Sequence, residues 1–298
     1  FQAEDGIRDR SPSRGLGDVY KRQIQRPEPL HEVVVEVEID SKGHLLSNDA
    51  LIAKIGSLRS QGFEVAAVCL MHSYQKGENE VRLEGILSDC GFSTVICSHQ
   101  TAPFIKILPR AETTLVDAYL SPLLNRYLDR LVQEFGSRGL SVMTSSGGLV
   151  PRSSYRAYDS LFSGPAGGVG GAVHAGVRAG MQKLIGFDMG GTSTDVARYD
   201  GALSYQFETR VGDARILAPS LKIETVAAGG GSICLFDGER LRVGPESAGA
   251  EPGPSCYGNG GPLTVTDVNF LLGRICLLYT SDAADEGLGV DLGGRRII

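Results

Sequence analysis

The sequence has no cysteine or histidine pattern of the kind that binds zinc. Cys69, Cys90, Cys97, Cys234, Cys256 and Cys276 form no C-x-x-C, and no two histidines stand at zinc-ligand spacing. Reduced thiols, each a small apolar residue, are the simplest reading, and that suits a cytoplasmic protein. Positive charge is not in excess either. A formal net charge of −6 gives no support to a basic patch for nucleic acid or a membrane surface. Long apolar runs are missing: Val65 to Met71 is far too short to span a bilayer. No charged start with an apolar centre marks a secretory leader, and no initiator Met is present, which reads as a partial chain.

What is there begins with size. At 298 residues and 42% hydrophobic content, the chain can bury a sizeable core in one large or two ordinary domains. Its 40 glycines cluster between positions 147 and 261, so the unusual backbone conformations are expected there. Both ends differ in character from the middle. Residues 1–23 mix Arg, Asp, Gly and Ser without an apolar face, and residues 276–298 change as abruptly. Both resemble translated sequencing-adapter sequence, a natural disordered tail at each end being the alternative, and the native piece is expected to be 24–275.

Along that piece, Val33 to Ile39 reads as a strand and Asp40 to Gly43 as a turn. Ser47 or Asn48 then caps a helix with Leu51, Ile52, Ile55 and Leu58 on one face, ended by Gly62. Val65 to Leu70 reads as a strand buried on both sides. A helix through Val81, Leu83, Ile86 and Leu87 stops at Gly91, and Thr94 to Cys97 is a further strand. This alternation predicts a parallel α/β sheet. Glu112 to Phe135 is the longest helical pattern, with Leu115, Tyr119, Leu123, Leu124, Tyr127, Leu128 and Leu131 as its stripe; Pro122 should kink or restart it. Leu140 to Met143 reads as a strand entering the turn Thr144 to Gly148, a plain loop or a ligand site by position. Ser163 to Gly176 reads as a helix of small residues that lets another backbone approach closely.

The stretch Leu184 to Tyr199 organises the rest. Leu184, Ile185 and Phe187 read as a short buried strand, and Val196, Ala197 and Tyr199 as another. Between them lie Gly190, Gly191, Thr192, Ser193 and Thr194, with Asp188 and Asp195 at the two ends. Glycines expose N–H groups that can cradle phosphate, and aspartates beside phosphate call for a cation such as Mg²⁺. An ordinary hairpin has the same composition, so spacing alone leaves both readings open. Leu203 to Val211 is expected as a third strand of a meander. Thr225 to Ile233 is a second glycine turn, and Arg242 to Gly258 a long loop without periodicity. Within that loop Cys256 is a nucleophile or a packed thiol, and Glu246 with Glu251 a carboxylate pair or a solvated surface. His72 and His99 follow strands and read as structural hydrogen-bonders.

A small-residue helix followed by D-x-G-G-T-x-x-D resembles the inter-domain connection and second phosphate motif of the actin-like (ribonuclease H-like) ATPase superfamily. Within it the chain resembles the hydantoinase A / 5-oxoprolinase family. The resemblance rests on RPEPL at 26–30, AVCLMHSY at 67–74, DAYLSP at 117–122, SSGGL at 145–149 and SGPAGG at 163–168. GFDMGGTSTDVA at 186–197, AAGGGSI at 227–233 and GPESAGAEPGPSCYG at 244–258 complete it. It implies an incomplete α/β actin-like fold, with 24–162 as part of a first domain and 163–275 as hinge helix and start of a second.

The resemblance also implies ATP-dependent opening of a cyclic amide such as a hydantoin or 5-oxoproline, with ATP and Mg²⁺ as cofactors and a second hydantoinase-type subunit as a possible partner. Asp188 would sit on the Mg²⁺ side, Asp195 would be the second metal- or water-side carboxylate, and Gly190, Gly191, Thr192, Thr194, Gly229 and Gly230 would face the nucleotide. The family's earlier phosphate motif does not occur in this sequence, so the chain alone is not expected to hydrolyse ATP. A ketone carboxylase subunit and a non-catalytic nucleotide switch are the alternatives.

Overall fold

The computed structural model describes residues 34–38, 45–46, 49–136, 140–212 and 214–275. The terminal segments expected to be foreign, the RPEPL motif and the Ser47 or Asn48 cap lie outside these. Among the described residues no helix is long and apolar enough to cross a membrane.

The first part is an α/β unit. Helix α1 (Asp49–Ser60) leads to β1 (Val65–Val68), and α2 (Glu78–Asp89) crosses over to β2 (Thr94–Cys97). The two strands pair in parallel, with Val65 opposite Thr94 and Val68 opposite Cys97. Gly91, at φ 92°, ends α2 in the left-handed region. The Phe92 N–H then donates back to the Leu87 carbonyl at 3.1 Å, and both side chains enter the core with Leu51, Ile55, Leu83 and Cys97.

Two expectations change here. Residues 34–38 belong to no strand, although Val35 and Val37 still pack on the core while their neighbours face solvent. The Leu46 N–H donates to the Glu38 carbonyl at 3.0 Å, so the segment keeps a backbone tie as well as its alternation. Strand β1 is not buried on both sides, since Ala67 is exposed.

After the one-turn helix α3 (Ser98–Thr101), helix α4 runs from Ile107 to Phe135 and passes through Pro122 without a break. Of the expected apolar stripe, Leu128 is buried and Leu115, Leu124 and Leu131 are half-buried, but most of the buried face is made of other residues. Thr113, Thr114, Asp117, Ala118 and Ser121 are buried, while Tyr119, Leu123 and Tyr127 are exposed. Short side chains bring the helix close to its neighbours, and the Thr113 and Thr114 hydroxyls donate to the Pro109 and Arg110 carbonyls at 2.7 and 2.8 Å.

Strands β3 (Ser141–Met143) and β4 (Leu149–Pro151) form a hairpin around Thr144 to Gly148. Two 3₁₀ turns lead into helix α5 (Ser163–Arg178). Then β5 (Leu184–Met189) and β6 (Thr194–Tyr199) form an antiparallel hairpin, and β11 (Glu224–Val226) adds to the other edge of β6. The expected meander is therefore reduced to a single bridge, Leu203 opposite Tyr199. Leu203 to Val211 instead supplies β7 (Tyr205–Gln206) and β8 (Thr209–Val211), which pair with β10 (Ser220–Leu221) and β9 (Ala214–Ile216). The supposed long loop opens with a strand, β13 (Leu241–Ser247), paired with β12 (Ser232–Phe236), before helix α6 (Val265–Leu271).

Candidate functional site

Helix α5 lies along β5 in register. A Cβ on Gly168 would stand 3.6 Å from Asp188 Oδ2, one on Gly186 would stand 3.7 Å from Ala172 Cβ, and one on Gly176 would collide with the Leu184 side chain. Four helical residues advance about 6 Å and two strand residues about 6.6 Å, so the small positions keep step with alternate strand residues. The helix runs antiparallel to the strand, and its N-terminal turns, which carry positive partial charge, lie toward Asp188. The expected close approach is thus present, but to side chains; Gly164, Gly170 and Gly171 meet nothing within 4 Å.

Asp188 stands directly opposite Asp195, and Asp195 opposite Thr225. Opposed residues of antiparallel strands point to one face, here the face of α5. Two carboxylates so placed repel, and neither forms an ion pair among the described residues. The Thr225 hydroxyl donates to Asp195 Oδ1 at 2.6 Å.

The turn between the strands is braced from behind. The Gly190 N–H donates to the Ser193 carbonyl at 2.9 Å. The Gly190 and Gly191 carbonyls accept from the Gly230 and Gly231 N–H groups at 2.9 and 2.6 Å. A Cβ on Gly229 would lie 2.7 Å from the Gly190 oxygen, so the two glycine turns need each other's lack of side chain. The Thr266 N–H and hydroxyl hold the Gly230 carbonyl in turn, at 2.8 and 2.9 Å.

Several expected ligand groups are committed by this brace. Gly230 has both backbone groups engaged, and Gly229 is tied to Ser232. Thr194 is buried, with its hydroxyl donating to the Ala228 carbonyl at 2.5 Å. These three residues support the turn from behind. Within this turn, the donors for which the described residues offer no partner are the N–H groups of Gly191, Thr192 and Ser193 and the Thr192 and Ser193 hydroxyls. Five donors at the tip of a turn, between two carboxylates without a counter-cation, fit a phosphate chain carrying a divalent cation.

The other candidates have structural explanations. Cys256 is pushed up to about 11 by burial and by the Asp267 carboxylate beside it, which disfavours the thiolate form and fits the packed-thiol reading. Asp267, overlooked in the sequence, organises that loop. It accepts from the Ser255, Cys256 and Thr264 N–H groups and from the Thr264 hydroxyl at 2.6–3.2 Å. Burial opposes its ionisation, yet these donors hold it down to about 2. The T-x-x-D capping box was its legible signal. Glu246, within β13, and Glu251, beyond it, are both exposed, as solvated surface residues are.

His99 is a structural hydrogen-bonder: its Nδ1 lies 2.8 Å from Glu80 Oε2. His72 is exposed at φ 60°. Glu80, Cys97 and His99 sit close enough to suggest a metal, but the fully buried Glu80 already accepts four hydrogen bonds, from the Leu70 and His99 N–H groups, the Ser98 hydroxyl and the His99 ring. The Cys97 thiol is pushed up to about 12, by burial and then by Glu84 and Glu80. Arg110 holds the other backbone group of Leu70, donating to its carbonyl at 2.5 Å from a fully buried position. Glu80 and Arg110 thus clamp the loop after β1.

The fold and the turn together define an α/β chain with a glycine-turn hairpin packed on a small-residue helix. The chain belongs to the hydantoinase/oxoprolinase family, which matches residues 110–291. That match runs past the change of character at about Cys276. Over 287 residues the chain is 39% identical to 5-oxoprolinase 1 of Arabidopsis thaliana, covering 87% of this chain and 23% of that protein. It is similar to the crystal structure of an ATP-dependent caprolactamase from Pseudomonas jessenii, with a TM-score of 0.64 and 33% identity over 87% of this chain and 38% of that one. It is also similar to a nucleotide-free acetone carboxylase structure, with a TM-score of 0.64 and 26% identity over 80% of this chain and 36% of that one. The chain spans about a quarter of the length of the curated relatives it matches.

Proposed function

We propose that this chain is part of an enzyme that opens a cyclic amide in an ATP-dependent hydrolysis, and that the Gly190–Ser193 turn holds the nucleotide's phosphates. The single observation behind this is the set of unpartnered donors between Asp188 and Asp195. A lactam carbonyl is a poor electrophile, and ATP with Mg²⁺ supplies the phosphoryl group that makes its oxygen a leaving group. The chain's own part is positioning and charge balance. The Gly191, Thr192 and Ser193 N–H groups and the two hydroxyls orient phosphate oxygens. Asp188 and Asp195 hold Mg²⁺, directly or through its waters, and the α5 N-terminus adds positive partial charge. The superfamily's actin-like architecture, with α5 as hinge helix between its two domains, belongs to the same reading.

A carboxylase is the second reading, favoured by the acetone carboxylase likeness, and the higher identities to 5-oxoprolinase and caprolactamase rank it below hydrolysis. Both are tested in the complete reading frame that contains this chain. Supplied with ATP and 5-oxoproline, hydantoin or caprolactam, it should form a ring-opened product. Asp188→Ala should lower that rate by about 10²–10³-fold, the scale for removing one preorganised charge-stabilising group. A product that appears only with bicarbonate and a ketone would select the carboxylase. Turnover unaffected by Asp188→Ala would refute the site.

A further inference from the structure

The row Asp188–Asp195–Thr225 crosses three strands on one face, and its members are not equivalent. Asp188 makes no hydrogen bond to another side chain among the described residues, whereas Asp195 Oδ1 accepts from the Thr225 hydroxyl at 2.6 Å. The terminal torsion of an aspartate is broad, so an unrestrained carboxylate samples many orientations. One short hydrogen bond removes that freedom for Asp195 and leaves Oδ2 without a protein partner. Strand β11, which carries Thr225, is only three residues long and runs almost directly into the bracing glycine turn. The position of Thr225 is therefore coupled to the turn it serves.

Resting on the reading of this turn as a phosphate and metal site, we infer that Thr225 is a positioning residue: it fixes Asp195 so that Oδ2 meets the cation, while Asp188 adjusts. The hydroxyl acts through the carboxylate and touches neither metal nor nucleotide. Outer-shell partners of metal ligands typically change metal affinity by about 10–100-fold when removed. Thr225→Val keeps the β-branched shape that suits a strand and deletes only the donor. Thr225→Ser keeps the donor and deletes only a methyl group.

Mn²⁺, followed by electron paramagnetic resonance with ADP present and displaced by Mg²⁺, is the probe for this chain and its variants. Thr225→Val should weaken Mn²⁺ binding by about tenfold or more, and Thr225→Ser should bind like the parent chain. Thr225 is exposed, so the unfolding temperature of both variants should match the parent. Equal Mn²⁺ affinity in the Val variant, with binding still abolished by Asp195→Ala, would overturn the role of Thr225 and leave the phosphate-turn reading standing. Mn²⁺ binding that survives Asp188→Ala and Asp195→Ala together would overturn both.

Discussion

Asp159 places a carboxyl in a half-buried position near Asp117. Burial first, and then the charge of Asp117, pushes it from 3.8 up to about 6. Asp117, almost fully buried, is also held up by desolvation. A carboxyl that binds its proton more tightly when folded contributes stability below its unfolded pKa, and that stability is lost as pH rises through the folded value. The window for Asp159 is therefore about pH 4 to 6. Asp267 has the opposite sign: its contribution is present above its ordinary value and lost only as pH falls through about 2. The two windows do not overlap. Urea unfolding from pH 4 to 7 should show stability falling with pH, and Asp159→Asn should flatten part of that slope, with Asp117 responsible for some of the rest. An unchanged slope in Asp159→Asn would mean that its burial does not govern its ionisation. Local sequence could not reveal this behaviour, nor the raised thiol of Cys256. In each case burial leads and a carboxylate from elsewhere in the chain adds to it, Asp117 for Asp159 and Asp267 for Cys256.

At the scale of elements, the glycines of the site divide into two kinds. Gly170 and Gly171 on α5 meet nothing within 4 Å, so a methyl group there costs no packing. Each replacement by Ala should stabilise the chain by about 0.5–1 kcal/mol through helix propensity. Gly229 is different, because its Cβ would meet the Gly190 and Gly191 backbone at 2.7 Å, and backbone cannot rotate aside. Gly229→Ala should cost about 1–3 kcal/mol, the scale of overpacking, and should weaken Mn²⁺ binding by prying the two turns apart. Urea midpoints of the three single variants check this: two should rise and one should fall. The same distinction explains which elements were legible. Helices α1 and α2, strands β1 and β2 and the β5–β6 hairpin are set by nearby apolar spacing and by glycines such as Gly62 and Gly91. The third strand of the sheet was not legible, because Thr225 pairs with Asp195 across 30 residues. The buried face of α4 was missed because it is built from Thr113, Thr114, Asp117 and Ser121, which an apolar stripe does not count. For the candidate site, the aspartates and the glycine-rich turn stand out in the sequence, but spacing alone does not tell them from an ordinary hairpin, and the bracing roles of Thr194, Gly229 and Gly230 depend on how two turns meet.

At the scale of the molecule, the hairpin is covered on one side. Leu184, Gly186 and Asp188 face α5, but Ile185 and Phe187 on the opposite face of β5 are 71% and 68% exposed, so the expected buried strand is half-covered on one face at Leu184 and Gly186 and open on the other. A second apolar surface follows α4, where Tyr119, Leu123 and Tyr127 recur every four residues on the exposed side. Contiguous apolar patches of this kind mark surfaces that another protein segment covers. The 5-oxoprolinase relatives are about four times as long as the matched region, so further segments exist in them. This chain by itself should therefore self-associate, with sedimentation velocity showing species larger than a monomer that grow with concentration. Replacing Ile185 and Phe187 together by Thr keeps strand propensity and removes the apolar patch. That double variant should shift the distribution toward monomer with an unchanged far-UV circular dichroism spectrum, while Mn²⁺ binding with ADP persists, because Asp188 and Asp195 lie on the other face. A wild-type chain that stays monomeric across the concentration range, or a double variant that associates as strongly, would show that the β5 face is not where the chain meets its neighbours.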